Sequence, residues 1–429
     1  MRLINEIKSG NFLRGERRKL LINFSNYGVF QVINYLIPVI TIPYIVRVIG
    51  VEKFGILSLA QAVCYYFRII VEYGFTITGV QLIAQNQDNR EKKGEILSAI
   101  LIIQVIFMLV GLVLILSAPL FITDIHQYFW VYLFSYLAVP ANLLLLLWFY
   151  IGSEEMRYLN YINLISRITY IILIFGFIRT AEDYIFIPLI TDGSLLLAGI
   201  FSLFFVLKKF DLRPRWIGWQ KIKFYLSDGW PLFISNFATN LYRNSNIIIL
   251  GILANKEIVG IYSAGEKLVK VFQSIFTPIT QTFFPYISRL KTEKPNNSIR
   301  SIKKLLMNMG LLGGFIAIIL FIAAKPITLV FLGNQFLPSV IVMRIASSVI
   351  LFGVLNYILG IIFMSNFDLK KEFSFCVILT GLLSIGICFL LSYYLQYIGA
   401  AIAFASSEII LFLLILYFTY KNRNRWAMV

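Results

Sequence analysis

Polar side chains in otherwise lipid-compatible sequence demand a reason, and residues 236–281 hold a dense set of them. Asn236, Thr239, Asn240, Arg243 and Asn246 recur at i, i+3, i+4, i+7 and i+10. Ser263, Glu266, Lys267, Lys270, Ser274, Thr277 and Gln281 follow at the same kind of interval. In helices each set is a stripe down one side, whereas the residues between them (Ile247, Leu250, Leu268, Val271 and Phe272 among others) suit lipid or a core. The stripes carry three cations, Arg243, Lys267 and Lys270. Guanidinium and ammonium groups hold phosphate oxygens through charge-assisted hydrogen bonds, so the chemistry on offer is capture of a phosphate-bearing anion, a diphosphate being a good candidate. Asparagine, glutamine, serine and tyrosine beside them suit sugar hydroxyls.

The elements that must position these residues follow from composition. Of the 429 residues 59% are hydrophobic and only 14% charged, with a mean hydropathy of +0.81. A soluble chain would carry about a quarter charged residues. Repeated apolar runs of membrane-spanning length predict an all-α polytopic membrane protein, the runs being too continuous for barrel strands. Twelve spans are expected, at 20–48, 54–84, 96–118, 127–150, 158–178, 184–207, 224–252, 258–288, 305–324, 334–364, 373–392 and 398–420. Pro38 and Pro43 in the first and Pro278 and Pro285 in the eighth are expected bends. Residues 1–19 lack the apolar stretch of a cleavable signal peptide, so the first span is expected to target the chain.

The net charge of +17 reports topology rather than a nucleic-acid face. With an even number of spans and the N-terminus inside, Lys and Arg crowd the segments at 2–19, 90–93, 208–223, 289–304 and 421–425, while the opposite side holds Lys53, Arg179, Lys256 and Lys325. Both termini are therefore expected in the cytoplasm. Cys64, Cys376 and Cys388 lie in apolar runs and His126 stands alone, so no metal site is expected. There is no GxxxxGK[ST] motif and no nucleophile–base pair; neither a cofactor nor enzymatic activity is expected.

Seven cations fall within or at the edge of the expected spans: Arg47, Arg68, Arg167, Arg243, Lys267, Lys270 and Arg344. Each costs about 2.5–3.5 kcal/mol at the bilayer centre on the mildest insertion scale, so they must face a wet cavity or paired partners. Arg47 and Arg344 lie close enough to span ends to snorkel. The acids inside spans are Glu72, Asp192, Asp228, Glu266 and Glu408. Arg68 with Glu72, and Glu266 with Lys270, are i, i+4 pairs that can neutralise each other. Arg243 and Lys267 then stand as the least compensated cations. The candidate substrate-binding set is Arg243, Lys267, Lys270 and Arg68. Gln31, Asn34, Gln61, Asn236, Asn240 and Ser274 are candidate polar lining, and Glu72 and Glu266 are candidates for carrying a coupling ion or forming simple pairs.

The chain also repeats itself. Gly55-Ile56-Leu57-Ser58 answers Gly260-Ile261-Tyr262-Ser263, and in the same register Gln31 answers Asn236 and Gln61 answers Glu266. Six spans per half keep both halves in one orientation, the plan of a transporter with its path between two parallel lobes. The expected division is 1–207, a basic cytoplasmic linker at 208–223, and 224–429.

Several stretches resemble the Wzx-type O-antigen and polysaccharide flippases. They are Asn23 to Gln31, Asn34 to Pro38, Pro43 to Gly50, Phe54-Gly55, Glu72 to Phe75, Gly260 to Lys270 and Phe284 to Arg289. The resemblance spans essentially the full length and implies membership of the multidrug/oligosaccharidyl-lipid/polysaccharide exporter superfamily. It further implies an undecaprenyl-diphosphate-linked oligosaccharide as cargo. Such a substrate moves from the inner to the outer leaflet of the bacterial cytoplasmic (inner) membrane by alternating access driven by an ion gradient. Membrane lipid, a polysaccharide polymerase and chain-length proteins are the partners it suggests. A multidrug cation antiporter of the same architecture is the alternative; it calls for carboxylates and aromatics, and the cation-rich stripe disfavours it. A polymerase or glycosyltransferase would show a large extracytoplasmic loop, which is not evident.

Overall fold

The computed structural model describes residues 11–276, 283–284, 287–288, 290–291 and 295–423, and among these the positions left without described side chains include Gln31 and Tyr242. The described residues are helical almost throughout and contain no strand. In chain order the helices are α1 (Asn11–Glu72), α2 (Phe75–Gln85), α3 (Arg90–Ser117), α4 (Thr123–Gln127), α5 (Phe129–Tyr136), α6 (Ala138–Leu145), α7 (Leu147–Gly152), α8 (Met156–Phe177) and α9 (Phe186–Lys209). The second half holds α10 (Trp219–Leu253), α11 (Lys256–Ser274), α12 (Pro295–Phe331), α13 (Ser339–Ala346), α14 (Ser348–Asn356) and α15 (Lys370–Lys421), with a π-helical stretch, Tyr357–Met364, after α14.

Among the described residues eight helical units are long and apolar enough to cross a membrane, and α1 and α15 each carry a non-helical residue inside their length. At 1.5 Å per residue, the 52 residues of α15 would run about 78 Å, over twice a hydrocarbon core of about 30 Å. Its backbone turns at Gln396, where φ is 50°. α1 turns likewise at Gly50, with φ 75°, a left-handed conformation that glycine adopts without a Cβ clash. Helix covers most of the described part of each expected span, with interruptions such as Tyr73–Gly74 and Leu146. α10 and α11 do not qualify on composition, because the polar stripes that single them out also dilute their hydropathy. Such helices must be enclosed by neighbours: α10 shares a long face with α15, and α11 with α1.

The outward surfaces are apolar. Ile172, Phe201, Phe204, Phe315 and Ile322 are each 60% or more exposed, which suits contact with acyl chains. Helix starts are fixed locally: Asn89 and Asn255 accept from the backbone N–H of Lys92 and Ile258, and Thr180 with Asp183 forms a capping box. Pro38 and Pro43 lie within the unbroken arm of α1, so the break falls at Gly50 instead; Pro278 and Pro285 lie outside the described residues. His126 sits in the one-turn helix α4.

The antiparallel run of helices gathers two sets of turns. At the first, here the Gly50 end, Lys53 pairs with Glu182 at 2.8 Å and Lys256 with Asp124 at 2.5 Å, Arg47 donates to the Val330 carbonyl, and Phe54 meets Phe336 edge-on at 6.0 Å. Three of these four contacts join the first half of the chain to the second. At the opposite, linker end, Arg90 pairs with Asp211, Arg215 with Glu91 at 3.0 Å, Lys221 with Glu95 at 2.5 Å and Lys209 with Glu155 at 2.6 Å. The largest buried cluster draws on both halves, from Ile37, Val46 and Tyr170 to Ala264, Phe336 and Phe404.

The two repeated glycines meet each other. A Cβ on Gly55 would lie 1.8 Å from the Lys256 carbonyl oxygen and 2.8 Å from the Gly260 nitrogen; one on Gly260 would lie 2.1 Å from the Val51 carbonyl oxygen. Only glycine permits α1 and α11 to cross this closely, the small-residue logic of packed membrane helices. The repeat thus closes the Gly50 end by packing one of its copies against the other.

Candidate functional site

The first cavity, of about 330 Å³, lies beside this crossing. Its walls come from both arms of α1 (Thr41, Phe54, Gln61), from α8 (Arg167, Tyr170), from α9 (Thr191) and from α11 (Lys267, Lys270). Among the described residues three cations line it and no carboxylate does. Lys267 Nζ donates to Ser58 Oγ at 3.2 Å and Gln61 Oε1 at 3.3 Å, and lies 4.6 Å from the Phe54 ring centroid. Arg167 clasps Asn34 Oδ1 with Nε at 3.1 Å and Nη2 at 2.7 Å, while Asn34 donates to the Phe30 carbonyl, which orients its amide. Lys270 reaches Glu266 Oε1 at 3.2 Å, Asn244 Oδ1 at 3.0 Å and the Arg243 carbonyl at 3.2 Å.

Two acids stand behind these cations. Glu266 is only 1% exposed and is held by Lys270 and the Tyr262 hydroxyl. Asp192 acts electrostatically on Arg167 and Arg68. Three cations against two acids leave one positive charge over. Lys267 and Arg167 meet the cavity through neutral partners, so both can turn charge-assisted bonds to an anion without first breaking an ion pair.

The second cavity, about 270 Å³, is framed by α10 (Ser235, Asn236, Thr239, Arg243), Gly74 of the α1–α2 turn and Thr76 of α2, Asn356 at the end of α14 with Tyr357 after it, and Phe373, Val377 and Leu411 of α15. Its charge is balanced. Arg243 Nη2 lies 3.8 Å from Glu408 Oε1, and Asn356 Nδ2 donates to Glu408 Oε2 at 2.7 Å and to the Glu408 carbonyl at 2.8 Å. Glu408 is 1% exposed and Asn356 3%. Asn356 Oδ1 has no hydrogen-bond partner among the described residues. The two cavities abut, because the Lys270 ammonium of the first is bonded to the backbone carbonyl of Arg243, whose side chain lines the second.

Of the residues singled out from sequence, Gln61, Lys267 and Lys270 line the first cavity, Asn236 and Arg243 the second. Arg68 lines neither; its Nε lies 3.3 Å from Glu72 and its guanidinium 4.5 Å from the Tyr65 ring centroid, an intrahelical pair. Asn240 is buried and ties α10 to α1, accepting from the Tyr65 hydroxyl at 2.9 Å and from Asn244 Nδ2 at 2.9 Å. Asn246 donates to the Tyr262 hydroxyl at 3.1 Å. Ser274 bonds back to the Val271 carbonyl at 2.6 Å. Asn34 stands behind the first cavity as the partner of Arg167. The Gln31 side chain, and Thr277 and Gln281, lie outside the described residues. Arg47 sits at the Gly50 end and Arg344 lies 5.7 Å from the Phe321 ring.

Three residues gain a place that periodicity did not assign. Arg167 was one cation among seven, and nothing in its own helix marks it as a cavity residue. Asn356 interrupts an apolar run by itself, without a stripe. Glu408 acquires its meaning from Arg243, which is far away in sequence. Among the described residues no group of three or more His, Cys, Asp or Glu could hold a metal ion.

Residues 20–291 match the family described as "Polysaccharide biosynthesis protein". The protein named "Putative O-antigen transporter" in Escherichia coli (strain K12) is 32% identical over 397 residues, covering 92% of this chain and 95% of that one. A protein of the same name in Shigella dysenteriae is 24% identical over 320 residues, covering 75% and 78%. Among solved structures, the inward closed conformation of the lipid II flippase MurJ aligns with a TM-score of 0.69 at 15% identity, over 93% of this chain and 87% of that one. An inward-facing multidrug resistance MATE family transporter aligns with 0.72 at 12% identity, over 92% and 96%. These likenesses fix the fold. Family model and first relative agree: the chain belongs to the family described as "Polysaccharide biosynthesis protein", and it has the fold of these solved transporters.

Proposed function

We propose that this protein flips an undecaprenyl-diphosphate-linked oligosaccharide, an O-antigen or related repeat unit, from the cytoplasmic to the periplasmic leaflet of a bacterial inner membrane. The observation that carries this reading is the first cavity, where Arg167, Lys267 and Lys270 converge with one positive charge over. A diphosphate matches that surplus, and the polyprenyl tail stays in lipid. The excess of Lys and Arg in residues 208–223 and the other turns of that end supports a cytoplasmic location for that end and for both termini. The Gly50 end then faces the periplasm, closed by Gly55 and Gly260. Twelve crossings form two six-span lobes, 1–207 and 224–429, that rock about this contact; an ion gradient supplies the driving force, with Glu266 and Glu72 as candidate carriers.

The test is deletion of the gene, scored for surface polysaccharide and for lipid-linked repeat units retained in the cell. Loss of surface polymer with single repeat units accumulating on the inner leaflet is the expected result. Normal surface polymer with altered drug tolerance would overturn the reading in favour of a drug antiporter.

A further inference from the structure

The second cavity has a chemistry of its own. It presents the amides of Asn236 and Asn356, the hydroxyls of Ser235 and Thr239, and the ring of Tyr357. Neutral amides and hydroxyls supply matched donors and acceptors, which is what a sugar ring bearing several hydroxyls requires. The cation present is already engaged: Arg243 faces the buried Glu408 carboxylate at 3.8 Å, so the cavity holds no charge surplus for a phosphate.

Asn356 is the most constrained member. Both bonds from its Nδ2 go to Glu408, which fixes which way the amide faces, and its Oδ1 is left as a buried acceptor without a partner among the described residues. A buried acceptor of this kind is costly unless something donates to it. At about 270 Å³ the space lies just below the usual range of small-molecule sites, roughly 300–1,000 Å³, which suits one or two sugar rings rather than a whole glycan. Its position completes the picture, because the Lys270 ammonium spans the wall between the two cavities.

We infer that the cavity around Asn356 reads the sugar nearest the diphosphate, so that the two cavities divide one substrate: the cationic cavity holds the diphosphate and the Asn236–Thr239–Asn356 cavity selects the sugar joined to it. This rests on the flippase reading above. Recognition by hydrogen bonding rejects an analogue that lacks the bonded hydroxyl far better than an apolar wall does, because the site's own polar groups are then left unpaired.

The experiment uses the purified full-length protein in nanodiscs and measures binding of undecaprenyl diphosphate, bare or carrying a single hexose or N-acetylhexosamine from a small panel. At least one sugar-bearing lipid should bind about tenfold tighter than the bare lipid, and Thr239→Val, Asn236→Ala and Asn356→Leu should each erase most of that ratio while leaving the bare lipid within about twofold. Thr239→Val and Asn236→Ala do not touch Glu408, which keeps the test decisive should Asn356→Leu unfold. Lys267→Met should weaken the bare and sugar-bearing lipids equally. If no sugar improves binding, or all three cavity variants keep the wild-type ratio, sugar reading at this site is wrong while the flippase reading stands. If neither lipid binds the wild type, or Lys267→Met changes neither affinity, both readings fall together.

Discussion

The two cavities are of similar size, share the α10–α11 wall and each contain cations from the same polar stripes, yet their electrostatics differ. In the first, Lys267 and Arg167 hydrogen-bond to neutral partners, Ser58, Gln61 and Asn34, and the acids behind them act only electrostatically. In the second, Arg243 faces a carboxylate buried to 1% exposure. A cation inside a membrane is therefore not yet a ligand-binding charge; what stands behind it decides. The same residue type faces a cavity through neutral partners in one place and balances a buried acid in the other.

The largest change comes from breaking the first cavity's closed end while leaving the second untouched. Gly55→Leu places a side chain where even a Cβ would lie 1.8 Å from the Lys256 carbonyl oxygen. Overpacking of about 1–3 kcal/mol is the usual cost of smaller misfits, so the closed end should be disfavoured about 5–150-fold or more and export of surface polymer lost. Cysteine-accessibility labelling at Thr41, a first-cavity wall residue only 1% exposed, checks the cause: the variant should label faster from the Gly50 end at normal expression. Unchanged labelling together with normal export would remove the glycine crossing from the mechanism.

A smaller effect separates pairing from binding. Arg243→Met leaves Glu408 with Asn356 as its hydrogen-bond partner, and since Arg243 is 41% exposed the lost pair is worth about 1 kcal/mol or less. The expected outcome is a modest fall in melting temperature in detergent, recovered by the charge-neutral double variant Arg243→Met/Glu408→Leu. Lys267→Met should behave in the opposite way, losing transport without losing stability, because it removes a cation that makes no carboxylate ion pair among the described residues. A thermal-shift series of the three proteins reads the contrast directly; a stability loss in Lys267→Met equal to that in Arg243→Met would erase the distinction. Smallest of all, Arg215→Gln breaks an exposed pair with Glu91, half and four-fifths accessible respectively, and should leave both stability and export near wild type.

Much of this architecture was legible from residue order, for reasons that are local. Apolar runs and the need to satisfy every backbone group in lipid dictate helices. The stripe on α10 and α11 follows from helical period, and the glycine repeat from simple self-comparison; that Gly55 and Gly260 touch was not legible, because the repeat says nothing of how its copies pack. Pairing was legible only within a helix. Arg68–Glu72 and Glu266–Lys270 are i, i+4 neighbours, whereas Arg243–Glu408 and Arg167–Asn34 join residues far apart in the chain. Periodicity shows that a face is polar without showing where it points. Asn240 belongs to a polar stripe and is spent on Tyr65, while Asn356 belongs to none and lines a cavity.

The central claim is that an unbalanced cationic cavity carries the diphosphate of a lipid-linked sugar across the membrane. Its most direct test is transfer of undecaprenyl-diphosphate-linked sugar between leaflets of proteoliposomes reconstituted with wild-type protein, Lys267→Met or Lys267→Arg. Charge-assisted bonds of about 1.5–3 kcal/mol predict a loss of about 10–150-fold for Lys267→Met, with Lys267→Arg keeping most of the activity. Transfer by Lys267→Met at the wild-type rate would contradict the account.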